Sequence, residues 1–123
     1  MSTGAMPATQ IDYDGRNFRS TDHPAGADAP VGHYHQDGTL VWAEFSGAAV
    51  RAGRLVGACR PDGVIDAAYC MVKEDGETIA GTCVSRPTVL SDGRVRLDEH
   101  WRRIDGSSGV SHIEELARGE TTE

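Results

Sequence analysis

The chain has 123 residues, the size of one domain with little room for a second core. Its 38% apolar fraction, few aromatics and 15 glycines suit a turn-rich all-β chain better than a helical bundle, which needs longer Leu- and Ala-rich runs. A net charge of −7 with Lys73 as the only lysine repels phosphate backbones, so nucleic acid is not an expected partner unless the eleven arginines gather on one face.

The chain opens with MSTGAMPATQ, which lacks the basic start and apolar middle of a secretion signal. Residues 1–12 are expected to form a disordered tail, residues 13–117 a single domain and residues 118–123 a flexible end. Six Asp-Gly pairs follow, at 14–15, 37–38, 62–63, 75–76, 92–93 and 105–106. Asp tolerates left-handed backbone angles and Gly adopts them freely, so each pair predicts a tight reversal, expected here as a two-residue hairpin loop. Between the turns lie eight candidate strands: GRNFRS, VGHYHQ, TLVWAEFS, AVRAGRLVGACR, VIDAAYCMVK, ETIAGTCVSR, RVRLDEHWRRI and GVSHIEELA. SGA at 46–48 supplies the third reversal, and TDHPAGADAP at 21–30 is too rich in Pro, Ala and Gly to be anything but a longer loop. The last segment could begin a helix, but an eighth strand closes the sheet. Eight sequential antiparallel strands hide their edges best as an up-and-down β-barrel, the alternative being a half-open sheet packed on itself. A barrel of eight strands is filled by side chains or holds one small ligand.

Alternation then selects the inward face of each strand. In RVRLDEHWRRI, Val95, Leu97 and Trp101 share a parity with Glu99, which points a carboxylate at the core. Desolvation would raise its pKa and suit it to general acid or base work, unless an arginine such as Arg19, Arg51 or Arg86 pairs with it. Tyr69 shares a face with Ile65, Ala67 and Met71 and could donate to a ligand carbonyl; a core tyrosine capped by a backbone acceptor is the plainer reading. Glu99 and Tyr69 are therefore the candidate catalytic residues. Tyr34, Trp42, Met71, Cys83, Ser85, Arg86 and Trp101 are the candidate substrate-binding residues, with core packing as the default for the aromatics.

His33 and His35 stand at i and i+2, a metal-type spacing, but Glu44 lies at the wrong distance to complete a site and His100 falls on the outward face, so no metal is expected. Cys83 and Ser85 have no histidine placed to activate them. Three cysteines, Cys59, Cys70 and Cys83, lack disulfide or zinc spacing and fit reduced thiols in a cytoplasm. No apolar run reaches bilayer length, no cofactor motif is present, and a membrane partner is not expected.

Several segments also carry a resemblance. YDGRNFRS (13–20), GHYHQDGTLVWAEFSGAAVRAGRLVG (32–57), DAAYCMV (66–72), TCVSRP with VLSDGRVRLDEHW (82–101) and SSGVSHIEEL (107–116) are together similar to a family of small bacterial proteins commonly labelled N-acetylglutamate synthase. An acetyltransferase needs a βαβ core with a glycine-containing loop at a helix N-terminus for the pyrophosphate of acetyl-CoA, and the chain offers neither. The resemblance implies a calycin-like or avidin-like β-barrel. Met71 stands where that family tends to have His, and Arg86 and Thr88 replace its usual Thr and Glu around Pro87, so a cavity lined by these positions would bind a different molecule. Two function classes follow. One is a cofactor-independent isomerase or cyclase acting on an organic, specialised-metabolite-like substrate by positioning and acid/base assistance. The other is a non-catalytic ligand-binding barrel of lipocalin or avidin type. The expected partner is a small organic ligand or substrate, and a homodimer is compatible with the sequence.

Overall fold

The computed structural model describes residues 11–24 and 28–117. Eight antiparallel strands run in sequence order around a closed barrel: β1 (Asn17–Ser20), β2 (Val31–Asp37), β3 (Leu40–Gly47), β4 (Val50–Cys59), β5 (Ile65–Lys73), β6 (Thr78–Val89), β7 (Val95–Arg103) and β8 (Ser108–Glu115). The segment that could have begun a helix is β8, and its pairing with β1, from Phe18 opposite Glu115 to Ser20 opposite Ile113, shuts the barrel. The expected tails at 1–10 and 118–123 lie outside the described residues. Ile11, expected in the first tail, is instead seated in the core.

Hairpin reversals fall at five of the six Asp-Gly pairs, Asp14-Gly15 instead making a turn ahead of β1, and four of the loops are longer than expected. In the β4–β5, β5–β6, β6–β7 and β7–β8 hairpins, the flanking pairs Arg60 and Val64, Lys73 and Glu77, Leu90 and Arg94, and Arg103 and Ser107 are bonded backbone to backbone across three residues. Each loop reads x-Asp-Gly, and its glycine takes a φ of 86 to 91°, the left-handed turn that follows a type I bend in a three-residue hairpin. The aspartate earns its place separately. Asp62, Asp75, Asp92 and Asp105 each accept the backbone N–H two residues on, at 2.9–3.1 Å, which locks the bend. The β3–β4 reversal takes two positive φ angles, Gly47 at 122° and Ala48 at 52°; the Ala48 N–H is held by Asp28 Oδ2 at 3.0 Å.

Strand β6 runs three residues past the expected ETIAGTCVSR. Its last residues, from Arg86 to Val89, pair with β7 alone, because β5 begins opposite Ser85. Pro87 therefore sits in an overhang with no neighbour on the β5 side, the edge position at which a missing N–H costs little.

The two ends of the barrel differ. At the end formed by the β2–β3, β4–β5 and β6–β7 turns, Ile11, Tyr13, Phe18, Tyr34, Val41, Ile65, Val95 and Leu97 form one buried cluster. Phe18 meets Tyr34 edge-on at 4.9 Å. Tyr13 is wholly buried and works as a plug: its hydroxyl donates to the Gly63 carbonyl at 2.6 Å and its N–H donates to Gln36 Oε1 at 2.8 Å. Tyr13→Phe should cost about 1–2 kcal/mol, since it leaves that enclosed carbonyl without a partner, and a urea melt with an unchanged slope is the check. The other end, between the β1–β2 segment and the β3–β4, β5–β6 and β7–β8 turns, is not filled by the core, and the cavity lies there.

Candidate functional site

A cavity of about 380 Å³ occupies the unfilled half of the barrel, lined mainly by apolar side chains with a few polar ones. Strand β7 lays out its depth on one inward face. Val95 and Leu97 lie in the sealed core, then Glu99, Trp101 and Arg103 line the cavity in turn toward the open rim. At about 3.3 Å per residue, Glu99 and Arg103 stand about 13 Å apart along the strand.

Around this line, Phe45, Leu55 and Met71 supply apolar wall, and Tyr34 and Tyr69 supply hydroxyls. Two glycines make room for the large rings. A Cβ on Gly109 would stand 2.5 Å from the Trp101 ring, and one on Gly53 would strike the Phe45 ring, so both rings lie flat against bare backbone. The Arg103 guanidinium in turn covers Trp101, 5.0 Å from the ring centroid, a cation–π contact that fixes the plane of both groups.

Glu99 keeps some accessible surface although it lies deep in the protein, because that surface faces the cavity. No described basic residue is within ion-pair distance of it. Of the arginines that might have neutralised it, Arg51 and Arg86 are exposed, and Arg19 lies beside Phe18 on the outward parity of β1. Burial, and then the negative charge of Asp22, push the carboxyl from 4.5 up to about 7, with His112 and the Tyr34 hydroxyl pulling the other way. Tyr34 is raised well above its ordinary value by burial and by Glu99, so its hydroxyl keeps its proton. Tyr69 is raised by burial, and the Arg103 guanidinium draws it partly back. Burial and Glu99 lift the Cys83 thiol to about 12; a thiol that holds its proton this firmly is no nucleophile at neutral pH.

Of the residues expected at the site, Glu99, Tyr69, Tyr34, Met71, Cys83 and Trp101 face the cavity. Cys70, beside Met71, is exposed, in keeping with the parity of β5. Three expected residues lie elsewhere. Trp42 has the outward parity of β3 and stacks on His35 at 5.3 Å, since the inward positions of that strand belong to Val41, Ala43 and Phe45. Arg86 also points outward and is exposed. Ser85 does face inward, but it is sealed beneath the cavity, fully buried and 3.5 Å from Cys83 Sγ.

His33 and His35 turn outward to Asn17 at 2.7 Å and to Glu44 at 2.8 Å. Among the described residues no three His, Cys, Asp or Glu side chains are gathered to hold a metal.

Sequence reasoning missed Arg103, although its parity with Glu99 and Trp101 carried the signal. It also missed the rim. Beyond β1, Ser20 Oγ meets His23 Nδ1 at 3.1 Å, and Asp22 crosses to β8, where it accepts the His112 N–H and ring nitrogen, both at 3.0 Å. These bonds hold Asp22 and His23 at the cavity mouth, and a loop composition alone gives no such placement. A more open hollow of about 780 Å³ adjoins the rim and shares Met71 and Arg103 with the cavity.

No curated protein and no solved structure matches the chain. Residues 11–116 match the family model described as avidin-like protein, a span that includes every strand of the barrel, and the chain belongs to that family.

Proposed function

We propose that the barrel takes a small organic molecule into its cavity and acts on it as a cofactor-independent isomerase or cyclase, with Glu99 exchanging the proton. One observation carries the reading: Glu99 faces the cavity without a described basic partner. A carboxyl held near 7 is populated in both forms at neutral pH, the condition under which one group can take a proton and return it elsewhere on the same molecule. Such a reaction conserves every atom and needs no cofactor. Tyr34, which keeps its proton and bonds Glu99, would orient the carboxyl while the apolar walls hold the molecule folded. Tyr69 sits nearer the rim side of the same wall and would orient the ligand.

The all-β barrel also supports reading N-acetylglutamate synthase as a label and not an activity, since it offers no helix N-terminus for a pyrophosphate. The three free thiols suit a reducing, cytoplasmic setting.

The test is retention of small molecules from a cell extract, followed by mass spectrometry of what denaturation releases. Wild type and Glu99→Gln should retain the same compound, and Gly109→Val, which drives Trp101 into the cavity, should not. With time the wild type alone should convert the compound to an isomer of equal mass and different retention. Retention without conversion would leave a carrier of the non-catalytic kind, and no retention at all would remove the cavity as a ligand site.

A further inference from the structure

We infer that the ligand of this cavity is an amphipathic organic anion, whose charged group is held at the barrel mouth by Arg103 with help from Tyr69. The inference rests on the cavity being a ligand site, as proposed above. Arg103 Nε is buried and, among the described residues, has no hydrogen-bond partner. No described carboxylate forms an ion pair with the guanidinium. Asp105, whose carboxylate feels its charge, is committed to the Ser107 N–H at 2.9 Å and the Ser107 hydroxyl at 2.6 Å. A buried N–H without an acceptor is costly, and the Arg103 side chain that carries it lines the cavity, so the protein gains when a ligand compensates the guanidinium. The guanidinium is a planar fork suited to a carboxylate or similar anion, and its stacking on Trp101 removes part of the ordering cost in advance.

Tyr69 completes the subsite. Its hydroxyl faces the guanidinium, and burial keeps it protonated at neutral pH, so it is a second donor for the same oxygen atoms. Between this rim and Glu99, about 13 Å deeper along β7, the wall is apolar: Trp101, Met71, Leu55 and Phe45. The molecule that matches is apolar in its body, anionic at one end, and carries at the other a group that can share a proton with Glu99. Long-range attraction does not explain anion binding here, because the chain as a whole carries −7 and repels anions at a distance; the selection must be local.

Two fluorescent probes test this, 8-anilinonaphthalene-1-sulfonate and N-phenyl-1-naphthylamine, which share one aromatic skeleton and differ by the sulfonate. The wild type should bind the anion about tenfold more tightly or better. Arg103→Gln should erase the preference while leaving the neutral probe within about twofold, and Arg103→Lys, which keeps the charge but loses the fork, should restore part of it. Gly109→Val should weaken both. Equal affinities in the wild type overturn the inference without any variant, and leave the cavity as a site for neutral molecules. Parallel weakening of both probes by Arg103→Gln also overturns it, as does anion binding that survives Gly109→Val, which places the probe on the surface. If neither probe binds the wild type, the ligand-site reading falls and this inference with it.

Discussion

Glu99→Gln should leave stability unchanged below about pH 4 and raise it above pH 7. In the folded protein the carboxyl titrates near 7 in place of 4.5, because burial disfavours the anion. A carboxyl whose folded value is raised binds its proton more tightly folded than unfolded. Its contribution is therefore favourable at low pH and is lost as pH climbs from the unfolded value through the folded one. The wild type should lose on the order of 2–3 kcal/mol across that window, less to the extent that water fills the cavity. Glutamine copies the neutral acid and cannot ionise, so the variant should show no such decline and should melt roughly 5–10 °C higher at pH 9. Melting curves of the two proteins from pH 4 to pH 9 check this. A variant less stable at every pH would mean that Glu99 belongs to a structural pair.

The same substitution at Glu115 should have the opposite sign. Glu115 is also inward and is only 5% exposed, but its Oε1 accepts from Arg16 at 2.8 Å and from the Val95 N–H at 3.1 Å. Arg94 adds a bond from its guanidinium to the Glu115 carbonyl at 3.0 Å. These contacts tie β8 and the segment before β1 to the start of β7, at the sealed end where the barrel closes. Both bonds end on the one oxygen Oε1, which a glutamine can still supply, so Glu115→Gln removes chiefly the charge that Arg16 faces. A cost of about 2–4 kcal/mol follows, because the partners of a largely buried carboxylate are left undercompensated. Arg16 is itself 22% exposed, which keeps the figure below that of a fully enclosed pair. Urea denaturation at pH 7 measures it, and a loss under 1 kcal/mol would show that water replaces the pair.

These two glutamates mark how far the sequence could be read. The all-β class, the eight strands and the places of reversal were legible because Asp-Gly chemistry and period-two alternation are local, and every strand repeats them. The same alternation put Glu99, Trp101, Tyr69 and Met71 inside. Alternation names a face and not a depth, however. It could not say that Ser85 would be sealed beneath the cavity while Glu99, directly opposite on β7, opens into it. Depth depends on where along the barrel the core ends, which is set by Tyr13 and Ile11 folding under from the far end of the chain. Trp42 departs from expectation for a different reason: a large aromatic suggests a pocket wall, but its parity is outward, and Val41, Ala43 and Phe45 hold the inner face of β3. Glu115 and Arg103 carry the inward parity of β8 and β7, but parity alone does not say what a charge at either end of the barrel meets. The contacts of Asp22 have no sequence signal, because they come from a loop crossing to a strand some 90 residues away.

A titration of the glutamate side chains by carbon-13 NMR, with Glu99→Gln assigning the resonance, tests the central claim most directly. With Glu99 a carboxyl in a ligand cavity without a described basic partner, its signal should titrate with a midpoint near 7 and the midpoint should move when an apolar anion fills the barrel. A midpoint at an ordinary glutamate value, unmoved by ligand, would contradict it.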